Sequence, residues 1–173
     1  MLGLPDAVTA CLFDMDGVLT RTASVHAAAW KQMFDEFLRE RDGDAFTPFD
    51  TEADYDEYVD GKRREDGTRS FLESRGIELP EGSPDDPAGA ATINGLSSRK
   101  NELVLEKLRD DGVELYDGSV RYVRAAREAG LRTAFIARPD EHGPGRGESV
   151  ASVPVDLSAD SLGELVERLE SGP

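Results

Sequence analysis

Cysteine is almost absent. Cys11 stands alone, so the chain can form no internal disulfide, and its apolar neighbours predict a packed thiol rather than a reactive one. Positive charge is also scarce: 20 Lys and Arg face 36 Asp and Glu, giving a formal net charge of -16. That balance argues against nucleic acid and anionic membrane surfaces as partners, because like charges repel before contact. Long apolar runs are missing too. No uninterrupted segment is long enough to span a bilayer, and the opening MLGLPDAVTA has no basic start and is broken by Pro5 and Asp6. Neither a membrane span nor a signal peptide is expected, and the chain reads as a cytoplasmic protein with small or neutral partners. Lysine stops altogether after Lys107.

What is present organises into blocks. AVTACLF (7–13) has the β-branched and apolar content of a short buried strand. From Thr22 the period changes: Trp30, Met33, Phe34, Phe37 and Leu38 recur at helical spacing, with Thr22 or Ser24 as the cap. Further helices are expected over 51–60, 66–75 and 98–110, closed by Gly61, Gly76 and Gly112, with a loop at LPEGSPDDPAG (79–89). After a helix over 118–129, LRTAFIA (131–137) reads as a second buried strand. The VASVPVDL stretch (150–157) is a weaker third, and a last helix carries Leu162, Leu165, Val166 and Leu169 with Ser158 as its cap. Strands alternating with helices predict an α/β protein with a parallel sheet, and the helical block lies inside it as an insertion. The expected domains are a discontinuous core, 1–19 with 113–173, and a helical domain, 20–112.

Two aspartates one residue apart, Asp14 and Asp16, follow the first expected strand, and Gly17 follows them. Composition alone generates this spacing, since Asp42 and Asp44, and Asp54 and Asp56, repeat it. Only the first pair falls beyond the carboxyl end of a strand, where α/β sheets place their ligands. In extended backbone alternate residues share a face, so both carboxylates are expected to point into one cleft while Met15 turns to the core. Two carboxylates this close need a shared cation or a proton. One can attack phosphorus while the other donates and recovers a proton, and magnesium would offset the charge gathered there.

FDMDGVLT (13–20) resembles the first motif of the haloacid dehalogenase superfamily, in the β-phosphoglucomutase-like branch that carries a helical cap after that motif. TASVHAAAWKQMF resembles that branch's first cap helix, VDGKRREDG its substrate-phosphate loop, and RKNELVLEKL its Lys-Asn helix start. The resemblance implies a Rossmann-like core with an inserted α-helical cap, and magnesium-dependent hydrolysis or isomerisation of a phosphorylated sugar through an aspartyl-phosphate. It implies Asp14 as nucleophile and Asp16 as acid/base, with Mg2+ held by the Asp14 side chain and the Asp16 backbone carbonyl. Thr20 and Thr22 would lie at the hinge, and His26, Arg64, Lys100 and Asn101 would face the phosphosugar. From the residues alone, His26 also reads as an ordinary helix residue near Trp30, and Arg64 as part of a solvated charged run. If Lys100 and Asn101 open a helix, its free N–H groups would favour an anion. Arg21 departs from the aspartate usual after the threonine.

Three further family pieces are not found where expected. Ala137 stands where a hydroxyl should follow the second strand, no later helix offers a lysine, and no later strand ends in paired acids. GLRTAFIARPDEHGPG instead resembles the stretch beyond the family's acidic motif, as if the middle of the core were deleted. Asp140 or Glu141, with Arg138 or Arg146, are the residues that would have to stand in. A shortened core exposes apolar sheet faces, which favour self-association. The rival expectation is a non-catalytic protein whose cap still binds phosphosugar or a protein partner.

Overall fold

A computed structural model describes residues 11–136, 156–159 and 161–170. Contacts divide the chain into two compact units, Asp14–Tyr116 and Met1–Phe13 with Asp117–Pro173. Among the described residues no helix is long and apolar enough to cross a membrane.

The Asp14–Tyr116 unit is built on α1 (Ala23–Asp42), α2 (Arg64–Ser74) and α3 (Ile93–Asp111), with a short 3-10 turn at Gly43–Ala45 and a π-helical turn at Tyr55–Val59. The helical period read in α1 is the buried stripe: Trp30, Met33, Phe34 and Leu38 all lie in the core. Phe34 sits at its centre, with ring centroids 4.1 Å from Phe71, 5.3 Å from Phe49 and 5.3 Å from Trp30. Leu72, Ile77, Ile93, Leu96, Leu103 and Val104 complete the cluster. The Thr68 and Ser97 hydroxyls, both buried, meet at 2.9 Å between α2 and α3.

Two expectations about helix ends are corrected. Thr22 precedes α1, but its hydroxyl donates to Asp16 instead of accepting from the helix, and it makes no cap bond. The helix expected over 51–60 is present but shorter: 53–59 are helical, with Tyr55–Val59 in π geometry, and Asp50 accepts from the N–H groups of Glu52 and Ala53 ahead of it.

α3 starts well before the expected 98. Thr92 caps it, accepting from Gly95 N–H (2.9 Å) while donating to Asp86 (2.7 Å). The N–H groups of Ile93 and Asn94 donate to the carbonyls of Pro80 and Glu81, so the preceding loop occupies the helix start. Gly82 is required there. Its φ is +75°, and an added Cβ would lie 2.2 Å from Asp86 Oδ2 and 2.5 Å from Thr92 Oγ1.

The other unit contains α4 (Asp117–Glu128), β1 (Ala134–Ile136), β2 (Leu157–Ala159) and α5 (Leu162–Glu170). β1 and β2 pair in parallel, in the register Ala134↔Leu157, Phe135↔Ser158 and Ile136↔Ala159. Asp156 sets that register by accepting from both the N–H and the hydroxyl of Thr133, at 2.6 and 2.8 Å. Ser158 therefore belongs to β2 and does not cap α5; Ser161 does, accepting from Glu164 N–H at 3.1 Å.

The expected strand over 7–13 falls partly outside the described residues, and Cys11, Leu12 and Phe13 have no regular structure. Leu12 is 83% exposed, where a buried strand end was expected; the described residues supply no neighbouring strand to pair with or cover it. Cys11 is a free, half-buried thiol. Ala137, Arg138, Asp140, Glu141, Arg146 and most of the third expected strand lie outside the described residues.

Candidate active site

The residues after Phe13 do not continue as a strand. Leu19 and Thr20 N–H groups both donate to Met15 O, at 3.0 and 2.9 Å, and Gly17 N–H donates to Thr20 O at 2.8 Å, closing a tight loop. Gly17 permits it with φ +76°. The expectation that Met15 turns to the core is overturned, since Met15 is 47% exposed; the loop ends the in-and-out alternation on which that expectation relied. Asp14 is exposed, and its Oδ1 accepts from Met15 N–H at 2.8 Å.

Asp16 is engaged differently. Its Oδ1 accepts from the Thr22 hydroxyl, and its Oδ2 lies 3.7 Å from His26 Nε2. On the far side of the ring, His26 Nδ1 lies 2.9 Å from Lys100 Nζ. A lysine ammonium has only protons to give, so Nδ1 accepts and the His26 proton sits on Nε2, the nitrogen facing Asp16. The result is an acid–imidazole–ammonium row that joins the loop before α1, the first turns of α1, and α3.

Lys100 is the one charged side chain that is buried among the described residues, at 6% exposure. Its ammonium lies 5.0 Å from the Trp30 ring centroid, so the indole face supplies part of its solvation. Burial, and then the nearby Arg64 charge, push Lys100 down to about 8, partly offset by Asp16. The same burial, aided by the Lys100 charge and opposed by Asp16, lowers His26 and keeps the imidazole neutral near pH 7. Arg64 is the first residue of α2, where the helix dipole disfavours a cation, and among the described residues its close acidic partner is Glu65 at 3.4 Å. Two cations are therefore held near each other with little anionic compensation, an arrangement that an incoming phosphate would relieve.

Of the expected site residues, the structure brings Asp16, Thr22, His26 and Lys100 together, places Thr20 against Thr22 at 2.6 Å, and sets Arg64 within electrostatic reach of Lys100. Asn101 is half-buried beside Lys100 on α3. Neither residue opens a helix: α3 begins at Ile93 and its first N–H groups are already bonded, so the expected free helix start is not there. Trp30 and Tyr55 were missed. Trp30 read simply as core, although an indole next to a buried lysine is a recurrent pairing. Tyr55, on the π turn, lies within electrostatic reach of Asp16, and burial first, then the charges of Asp60, Asp16 and Asp56, raise it; no sequence spacing signals that position.

The decoy pairs resolve structurally. Asp54 forms a 2.8 Å ion pair with Arg75, and Asp42 lies 3.4 Å from Arg41.

Magnesium fits the donor set in kind, since Asp14 and Asp16 offer oxygen. No group of three or more His, Cys, Asp or Glu able to hold a metal occurs among the described residues.

The buried lysine has a testable signature. Its folded value of about 8 lies below the unfolded 10.5, so between those pH values the unfolded chain holds the extra proton and stability rises with pH. Below pH 8 the cost is present in full, about 3 kcal/mol. Lys100→Met is expected to be the more stable protein at pH 7 in urea unfolding, with the gap closing toward pH 10. A gap that does not change with pH would show that Lys100 is not the cause.

A family model described as haloacid dehalogenase-like hydrolase matches residues 8–147. The chain is 59% identical over 140 residues to proteins named beta-phosphoglucomutase from Mycobacterium bovis and Mycobacterium tuberculosis, covering 79% of this chain and 53% of each relative. It is 34% identical over 128 residues, 72% of its length, to 9% of an uncharacterized glycosyl hydrolase of Mycobacterium tuberculosis. The chain thus spans about half the length of the beta-phosphoglucomutases it matches.

Proposed function

Because the chain belongs to the haloacid dehalogenase-like hydrolase family, we propose that it transfers a phosphoryl group to or from a phosphorylated sugar, with Asp14 as nucleophile and Asp16 as acid/base. The observation that carries this reading is the buried Lys100 beside Arg64, an under-compensated positive site joined through His26 to the Asp16 carboxylate. The names of the beta-phosphoglucomutase relatives supply the sugar class. In this reading residues 20–112 serve as the cap, and 1–19 with 113–173 as the core.

In the first half-reaction, an Asp14 oxygen bonds to phosphorus as the bond from phosphorus to the sugar oxygen breaks, and Asp16, having first taken a proton from solvent, gives that proton to the sugar oxygen. In the second, Asp16 takes the proton of a water or sugar hydroxyl whose oxygen attacks phosphorus, and Asp14 leaves as the free carboxylate. His26 and Thr22 hold the Asp16 carboxyl between them, and Lys100 and Arg64 hold a phosphate. Magnesium would supply charge compensation to the phosphoryl group when bound.

A second reading, phosphosugar binding without turnover, is favoured by the absence of any lysine after Lys107. Acid quenching separates the two. Incubated with magnesium and radiolabelled β-glucose 1-phosphate, the chain is expected to retain label that survives acid, is released by hydroxylamine and maps to the peptide containing Asp14. Saturable binding with no retained label would leave the second reading standing, and no binding would end both.

A further inference from the structure

Two stretches at the ends of the Asp14–Tyr116 unit run side by side. Arg21 N–H donates to Glu114 O at 2.8 Å, Tyr116 N–H donates to Leu19 O at 3.1 Å, and Thr20 and Leu115 form an antiparallel bridge between them. Arg21 spans this strap. Its guanidinium carbon lies 4.4 Å from the Tyr116 ring centroid, and its Nε is 3.8 Å from Glu114 Oε2. An aspartate at this position would repel Glu114 and could not stack on the ring.

The strap is connected to the acid. Thr20, at its centre, is buried; because the Thr22 proton goes to Asp16, the Thr20 hydroxyl is the donor to Thr22 Oγ1 at 2.6 Å, sharing its proton with Met15 O at 2.9 Å. Thr22, also buried, donates to Asp16. A shift of Leu19–Arg21 against Glu114–Tyr116 therefore moves Thr20, then Thr22, then the carboxyl that Thr22 holds.

We infer that Arg21 is a positioning residue for Asp16, acting through the strap and the two threonine hydroxyls by closing over Tyr116 and Glu114. The inference rests on the proposed role of Asp16 for its meaning in catalysis, but not for its test. The ion pair contributes little, because both side chains are mostly exposed and salt screens them. The guanidinium–ring stack is the larger part, and at an exposed site it protects the strap about two- to fivefold.

The test uses the whole chain and needs no turnover. Only two histidines are present, His26 and His142, so the His26 ring resonance is assigned by its loss in His26→Gln. Arg21→Ala and, independently, Tyr116→Leu are compared with wild type and with Asp16→Asn. In both, amide exchange along the strap is expected to quicken about two- to fivefold, read at Tyr116 in Arg21→Ala and at Arg21 in Tyr116→Leu. The His26 ring signal should move toward its Asp16→Asn position, while the amide of buried Leu103 stays unchanged. Unaltered strap exchange overturns the inference, and so does faster exchange with a stationary His26 signal, because the strap would then not govern Asp16. Absence of phosphoryl transfer would defeat the proposed reaction and leave these readouts intact.

Discussion

Asp14→Asn is expected to lower phosphoryl turnover by roughly 10⁴-fold or more, the scale on which removal of an attacking group acts. The structure makes this substitution clean. Asp14 is exposed, and its only described bond is the one its Oδ1 accepts from Met15 N–H, which an asparagine oxygen accepts equally well. The thermal midpoint should stay within the scatter of surface substitutions, and affinity for a sugar phosphate should persist, because Lys100 and Arg64 are untouched. What disappears is the acid-stable label. Turnover retained in Asp14→Asn, measured as phosphate release or sugar-phosphate isomerisation, would show that the exposed carboxylate is a bystander.

Phe34→Ala is expected to cost about 3–5 kcal/mol of stability. Its ring is fully buried and touches Trp30, Phe49 and Phe71, which come from three separate parts of the helical unit, so no single neighbour can move in to fill the space. Trp30 is the only tryptophan, and its emission reports the loss in urea unfolding. The damage should also reach the site, since Trp30 stacks on Phe34 and presents its ring to Lys100. A loss below about 1 kcal/mol would mean that the aromatic cluster is not the centre of this core.

Much of the helical unit was legible because burial repeats with the helix period: Trp30, Met33, Phe34 and Leu38 gave α1 its face. The start of α3 was not legible. The expected loop ended at Gly89 and the expected helix began at Ser98, yet Ile93, Gly95 and Leu96 are buried, and packing with the Thr92 cap outweighs the poor local propensity of Asn94 and Gly95. The first strand was read from Ala7–Phe13 as an apolar run, but such a run is buried only when partners cover it, and Leu12 shows that its described end is open to solvent. The two aspartates were legible as a pair, while their separate engagements were not. Spacing could place both on one face; it could not show that Asp14 would fold back on Met15 N–H while Asp16 met Thr22 and His26. The His26–Lys100 contact spans 74 positions, and only tertiary structure brings them together.

The sealed Thr68–Ser97 contact has a mechanical consequence for the two cations. Thr68 lies one turn beyond Arg64 and bonds to its carbonyl, while Ser97 lies one turn before Lys100. The hydroxyl pair therefore works like a key between α2 and α3: it fixes how far one helix can slide or roll past the other. The contact therefore opposes the mutual repulsion of Arg64 and Lys100 and keeps the turn that carries one in step with the turn that carries the other.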